Sequence, residues 1–135
     1  MKRKERSIEV VVRAVVIHQN KILFAKLKGG DYYFLPGGHV EFGELLEVAL
    51  AREFLEEVDV IPKKPTLLGI VENNYLEKGI KHHEINFVYR VTLNRYDLKA
   101  LESHLSFHWV PVKMLKNEKI LPVRMKQQLL MWVKC

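Results

Sequence analysis

Pro36-Gly37-Gly38 interrupts a valine-rich, extended region, and the stretch that follows from Glu44 to Val58 contains neither glycine nor proline. Leu, Ala, Glu and Arg dominate that stretch, all of them strong helix formers, so it reads as a helix. Proline fixes φ and paired glycines allow positive φ or close backbone approach, so the preceding turn reads as a loop of particular shape. At ~100° per residue, Glu53, Glu56 and Glu57 fall within an arc of roughly 100° near the C-terminal end of this helix. A bare helix disfavours that arrangement: like charges at i,i+3 and i,i+4 repel, and anions oppose the dipole there, each by roughly a few tenths of a kcal/mol. A divalent cation would reverse both penalties, and carboxylate oxygens are ligands for Mg²⁺ or Mn²⁺. A solvated acidic face paired with lysines accounts for the same three carboxylates, and taken alone they favour that plainer explanation.

The rest of the chain alternates strand and helix signals. Ile8–Ile17 is valine-rich, a His18-Gln19-Asn20 turn follows, and Lys21–Lys28 completes what reads as a hairpin, with Asp31–Leu35 as a short third strand. Pro62 and Pro65 end the acidic helix. Leu67–Tyr75 and His83–Thr92 read as strands flanking a Glu77-Lys78-Gly79 turn, and Phe107–Val110 as a last short strand. A second helix is expected from Pro122, with Met125, Leu129, Trp132 and Val133 forming its apolar stripe. This order predicts a mixed α/β domain.

Composition narrows the class. The 135 residues fit the ~100–200 of one domain, so residues 1–135 are expected to form a single unit with residues 1–6 as a flexible basic tail. With 48% hydrophobic and 28% charged residues, the chain is not of the disordered class. Its one cysteine, Cys135, excludes an internal disulfide framework and a multi-cysteine zinc site. No apolar run approaches the ~20 residues of a membrane span, and the start of the chain does not resemble a signal peptide, so a cytoplasmic protein, mature as written, is expected. The net charge of +6 tilts the expected partners toward anions: nucleotides, RNA or acidic surfaces.

Gly38, Glu44, Arg52, Glu53, Phe54, Glu56, Glu57 and Val60 stand in the spacing G-x5-E-x7-R-E-U-x-E-E-x-G-U, with U a bulky apolar residue. Only the second glycine differs, being Asp59. In these residues the chain resembles the Nudix hydrolases. Arg13-Ala-Val-Val-Ile, Lys21-Ile-Leu-Phe, Phe34-Leu-Pro-Gly-Gly and Trp109-Val-Pro are similar to what usually surrounds this motif, so the resemblance covers most of the chain. It implies a Nudix-type α/β/α sandwich around a mixed β-sheet. It also implies divalent-metal-dependent attack of water on a phosphoanhydride in a nucleoside diphosphate linked to another moiety. By the same resemblance Glu53, Glu56, Glu57 and the Gly37 carbonyl are expected to hold Mg²⁺ or Mn²⁺, and Arg52 to orient a neighbouring carboxylate. Asp59 is expected to keep the glycine's left-handed turn, because Asn and Asp tolerate that region best among residues with side chains.

For the base that takes the water's proton, Glu53 ranks first and Glu84 second, since Glu84 precedes a strand and approaches from outside the motif. His82 and His83 read as structural or solvated, imidazole being a poor match for Mg²⁺ and neighbouring strand residues facing opposite ways. Glu72 is a further acid with no assigned part. Arg13 and Lys26 are candidate phosphate contacts by charge, and Tyr32, Tyr33, Phe34 and Tyr75 candidate base-stacking partners. Dinucleoside polyphosphates, ADP-ribose, nucleotide sugars, nucleoside triphosphates and capped RNA are not separated by these residues. The competing class is a catalytically weak nucleotide- or RNA-binding module of the same fold. RNA has only the basic charge in its favour, and a homodimer is compatible with the sequence.

Overall fold

A strand covered on both faces reads as an almost unbroken apolar run, and Val10-Val11-Val12 belongs to such a strand. In the computed structural model, which describes residues 7–133, this is β1 (Glu9–Val15). Val12 and Ala14 face one apolar cluster and Val15 the opposite one. The expected basic tail at residues 1–6, and Cys135, lie outside the described residues.

The expected hairpin is corrected by the pairing. The chain breaks at Val16, and only Ile17–His18, β2, turns back onto β3 (Lys21–Leu27). Gln19 and Asn20 both take positive φ in that turn, at 52° and 62°, the twist a two-residue hairpin needs. β1 lies instead between β4 (Gly37–His39), antiparallel, and β6 (Ile80–Leu93), parallel. A strand with two buried faces needs a neighbour on each edge, and a local turn supplies only one. The Pro36-Gly37-Gly38 loop is thus partly strand. β5 (Pro62–Glu77) pairs antiparallel with β6 and closes the sheet in the order β4-β1-β6-β5. It starts earlier than the expected Leu67, and runs through Pro65 with a register shift between Lys63 and Thr66. Proline lacks the ladder N–H, so an edge strand with a bulge is where it fits.

β7 (Leu105–Pro111) pairs with β3, giving a second, three-stranded sheet in the order β2-β3-β7. The central layer is therefore a mixed four-stranded sheet beside an antiparallel three-stranded one. The segment expected as a strand at 31–35 makes only isolated bridges, Ala25 with Phe34 and Tyr33 with Ile120. On one face α1 (Leu46–Val58) buries Ala49, Leu50, Phe54 and Val58. On the other α2 (Val123–Trp132) buries Met125 and Leu129, after a short 3-10 helix at Val112–Asn117. Helix, sheets, helix is the expected α/β/α order. Among the described residues no helix is long and apolar enough to cross a membrane.

Candidate active site

Two glycines bring β4 onto the acidic helix. Gly37 has φ 141°, a region reserved for glycine, and a Cβ there would collide with the Val12 carbonyl. A Cβ on Gly38 would overlap the Glu53 carboxylate. Both positions therefore need the missing side chain: Gly37 to let β4 lie on β1, Gly38 to let Glu53 lie on β4.

Arg52 anchors this contact from the neighbouring helix position. Its Nε donates to Glu44 Oε2 at 2.7 Å and its Nη2 to Glu44 Oε1 at 3.0 Å, a two-point fork that only a guanidinium can make. Nη2 also donates to the His39 carbonyl at 3.0 Å, and Nη1 to Glu53 Oε2 at 3.1 Å and Glu56 Oε1 at 3.4 Å. One cation thus ties the loop, the strand and two helix carboxylates together. Hydrogen bonds from Arg52 and from the Glu41 backbone hold the Glu44 carboxyl down at about 2, and the same pairing raises the Arg52 guanidinium.

Glu57 is the third carboxylate and is buried, 8% exposed. Burial, then its hydrogen bond and charge contact with Glu53, push its carboxyl well above the ordinary carboxylate range, while Arg13 works against the shift. Two carboxylates this close resist double ionisation unless positive charge sits between them. Hard oxygen donors on one helix face fit Mg²⁺ or Mn²⁺, and a cation there would let the pair be fully anionic. The helix end itself is settled by other means. Asp59 takes the left-handed conformation, φ 57° and ψ 43°, as expected, and its N–H bonds to Leu55 O. With no basic residue in the last turn of α1, Arg95 donates to the terminal carbonyls of Asp59 and Val58 at 3.0 and 3.4 Å.

A second group of side chains stands beside the first. Glu84 on β6 lies opposite Glu9 on β1 in the parallel register, and Val11 opposite His39 brings the imidazole of β4 to the same place. Ligand atoms of Glu9, His39 and Glu84 lie within 4.8 Å of one another. His39 bonds to Glu9 at 2.6 Å and His82 to its other oxygen at 2.8 Å. The His82 bond, then the His39 bond and both imidazole charges, outweigh burial and hold Glu9 below its ordinary value. Tyr75 stacks on His82 and donates its O–H to Glu84 at 3.0 Å; burial and then Glu84 raise the phenol, which keeps it a donor. His83, one residue on, faces away and bonds to Glu72 at 3.1 Å. Imidazole makes this second group a poorer match for Mg²⁺ than the helix carboxylates.

Arg13 joins the two groups. Its guanidinium donates to Leu35 O at 3.0 Å, sits over the Phe34 ring at 5.8 Å, and has Glu84, Glu57 and Glu53 as its charge partners. Burial lowers this guanidinium, and those three acids offset only part of that shift. Lys26 and Tyr33 lie apart from this constellation: the ammonium is 4.6 Å over the Tyr33 ring, which packs on the cluster under α2. Adjacent residues of an extended segment point to opposite sides, so Phe34 faces Arg13 while Tyr33 does not. Glu9 and His39 were not singled out from sequence. Their only signal is positional: His39 follows the paired glycines, and Glu9 opens the first strand.

Residues 8–131 match the NUDIX domain. An ADP-ribose pyrophosphatase of Methanocaldococcus jannaschii is 36% identical over 94 residues, covering 67% of this chain and 54% of that protein. The chain thus spans about half the length of that curated relative. The fold is similar to a MutT NUDIX hydrolase from Burkholderia pseudomallei, with a TM-score of 0.75 at 23% identity over 96% of this chain and all of that one. It is also similar to the NUDIX domain of Shewanella oneidensis NrtR, crystallised with ADP ribose, with a TM-score of 0.73 at 18% identity over 95% and 88% of the two chains.

Proposed function

The chain belongs to the Nudix family, and from that premise we propose that it is a divalent-cation-dependent hydrolase of nucleoside diphosphate derivatives, with ADP-ribose the first substrate to test. The observation that carries this reading is that Glu53 lies against Gly38 of the loop while the buried Glu57 bonds to Glu53 from the next turn of the helix. A protein that only bound anions would have no use for it. The choice of ADP-ribose is supported by the name of the relative from Methanocaldococcus jannaschii and by the ligand of the Shewanella oneidensis structure.

In this reading Glu53, Glu56, Glu57 and the Gly37 carbonyl hold Mg²⁺ or Mn²⁺. The bound ion supplies neutralisation of phosphate charge and makes water a stronger acid. Glu53 takes the proton of the attacking water, a role that typically contributes ~10²–10⁴-fold. Glu84 is the alternative base, held by the Tyr75 hydroxyl. Arg52 is a positioning residue, since its fork on Glu44 sets the plane from which it reaches Glu53. Arg13 and Phe34 border the acidic groups, which supports their roles as phosphate and base contacts; Lys26 and Tyr33 are the weaker substrate candidates because they pack on each other. Water oxygen bonds to one phosphorus of ADP-ribose, the bridging P–O bond breaks, and the products are AMP and ribose 5-phosphate.

The test is an initial-rate screen with Mg²⁺ and Mn²⁺ over ADP-ribose, a dinucleoside polyphosphate, a nucleotide sugar and a nucleoside triphosphate, with products identified by mass. AMP and ribose 5-phosphate from ADP-ribose support the assignment in full. Turnover of another member of the panel would keep the reaction and replace the substrate. No turnover with either ion, together with tight binding of nucleotide or RNA, would make the protein a binding module.

A further inference from the structure

A cleft of about 730 Å³ opens at the other end of the sheet from the acidic site. Its walls come from the β2–β3 turn, the end of β7 and the end of α2, with β6 contributing Arg90. Glu84 and Arg90 are six residues apart on β6, about 20 Å of strand, while Arg13 of the acidic site pairs with Val88, two residues short of Arg90; the cleft and the acidic site share no lining residue. The charge of the cleft is the reverse of the active site's. Lys21, Arg90 and Lys113 line it, none of its lining side chains is acidic, and these three cations have no side-chain hydrogen bond or ion pair to any described residue.

The other features of the cleft point to what such charge would hold. Trp132 forms one wall, and the edge of its indole lies on Gly69 of β5, where a Cβ would come within 2.8 Å of Cζ2. The ring is therefore held in place before any ligand arrives, so a stacking contact orders little. Gln19 and Asn20, at the rim, are exposed with positive φ in the hairpin turn, and their side-chain amides offer both donors and acceptors. A cavity of this size accepts a drug-sized molecule. Clustered cations fit phosphate oxygens, and a fixed indole fits a planar base.

We propose that this cleft is a second nucleotide-binding site, which takes a nucleoside phosphate through Lys21, Arg90 and Lys113 with its base against Trp132, remote from the acidic helix. The site does not depend on the hydrolase reading, because none of its residues belongs to that machinery. It gives the protein a place where a nucleotide binds without a divalent cation.

The experiment is a calorimetric titration of the full chain in EDTA with ADP, and separately with inorganic pyrophosphate and a short single-stranded RNA. Withholding the cation weakens phosphate binding at the acidic end, and the charge-reversal variant then decides which site the ADP heat reports. The double variant Lys21→Glu/Lys113→Glu, at exposed positions, is expected to weaken ADP by about 10-fold or more, with the melting temperature and the Mg²⁺-dependent rate at saturating substrate unchanged. Trp132→Phe is expected to weaken ADP by about 3-fold while leaving pyrophosphate unaffected. No ADP binding at millimolar concentration overturns the proposal, as does ADP binding that survives the charge reversal. Pyrophosphate binding as tight as ADP would remove the base-stacking part, and binding of RNA but not ADP would replace the nucleotide with a nucleic-acid strand.

Discussion

Gly37 and Gly38 are neighbours with different jobs, and an alanine at each separates fold from catalysis. At Gly38 the three heavy atoms nearest the new methyl all belong to the Glu53 carboxylate, with Oε1 at 2.6 Å and Cδ and Oε2 nearer still, so the carboxylate stands at least about 0.8 Å inside the 3.4 Å where ordinary contact begins. The obstacle is the far end of a flexible side chain, and Gly38 lacks a positive φ, so the backbone can keep its course. Glu53 must then retreat by nearly an ångström, a displacement that can lower a rate by ~10²-fold when the group is a ligand or base. At Gly37 the methyl would meet the Val12 carbonyl from a backbone at φ 141°, and neither can yield without breaking the β1–β4 pairing. Strain of that kind is worth about 1–3 kcal/mol. Gly38→Ala is therefore expected to melt near the parent with turnover down ~10²-fold, and Gly37→Ala to melt about 5 °C lower or more. Thermal melts and initial rates at saturating Mg²⁺ decide it. A Gly38→Ala protein with a rate within about 3-fold of the parent would refute the assignment of Glu53.

Glu57→Gln removes a ligand charge while keeping the shape, so turnover should fall ~10²-fold; the melting temperature of the metal-free protein should hold or rise, since a carboxylate burial disfavours is replaced by an amide. Equal rates in parent and variant would contradict this. Asp59→Gly should leave stability unchanged or slightly raised and activity within a few-fold, and Asp59→Val should melt lower, because φ 57° is poorly accommodated by a β-branched side chain; a melt of Asp59→Val at or above that of Asp59→Gly is the contrary result. Glu44 has a folded value near 2 against an ordinary 4.5, so its contribution is complete above about pH 4.5 and is lost as pH falls through 2. The stability gap between the parent and Glu44→Gln should accordingly shrink over that window in acid-unfolding curves, and a constant gap would refute the pairing.

The helix and its carboxylates were legible because their signals are local: a run without glycine or proline, an angular arc of glutamates, and a motif with its spacing intact. Asp59 was legible for the same reason, its left-handed turn following from the helix end alone. What the sequence hid was non-local. Nothing near Val16 says that β1 leaves the hairpin, since the turn at Gln19–Asn20 looks the same whether it joins two long strands or two residues of β2. The parallel pairing of Glu9 with Glu84 joins residues 75 positions apart, and only that register makes Glu9, His39 and Glu84 neighbours. Pro62 and Pro65 mark the end of the helix in the sequence but do not show that a strand begins there; on an edge strand the missing N–H faces no partner, and β5 passes through them. Arg13 was readable as a cation but not as the residue whose charge faces both acidic groups, a property of the strand order.

The most direct test of the account is a Mn²⁺ titration of the free-ion paramagnetic resonance signal, run on the parent, Glu57→Gln and Glu84→Gln, with turnover of the best substrate measured on the same samples. The helix carboxylates are predicted to hold the ion, so Glu57→Gln should weaken Mn²⁺ by about 10-fold or more with turnover falling in step, while Glu84→Gln binds Mn²⁺ like the parent. Parental affinity and turnover in Glu57→Gln, with both lost in Glu84→Gln, would contradict it and move the metal centre to Glu9, His39 and Glu84.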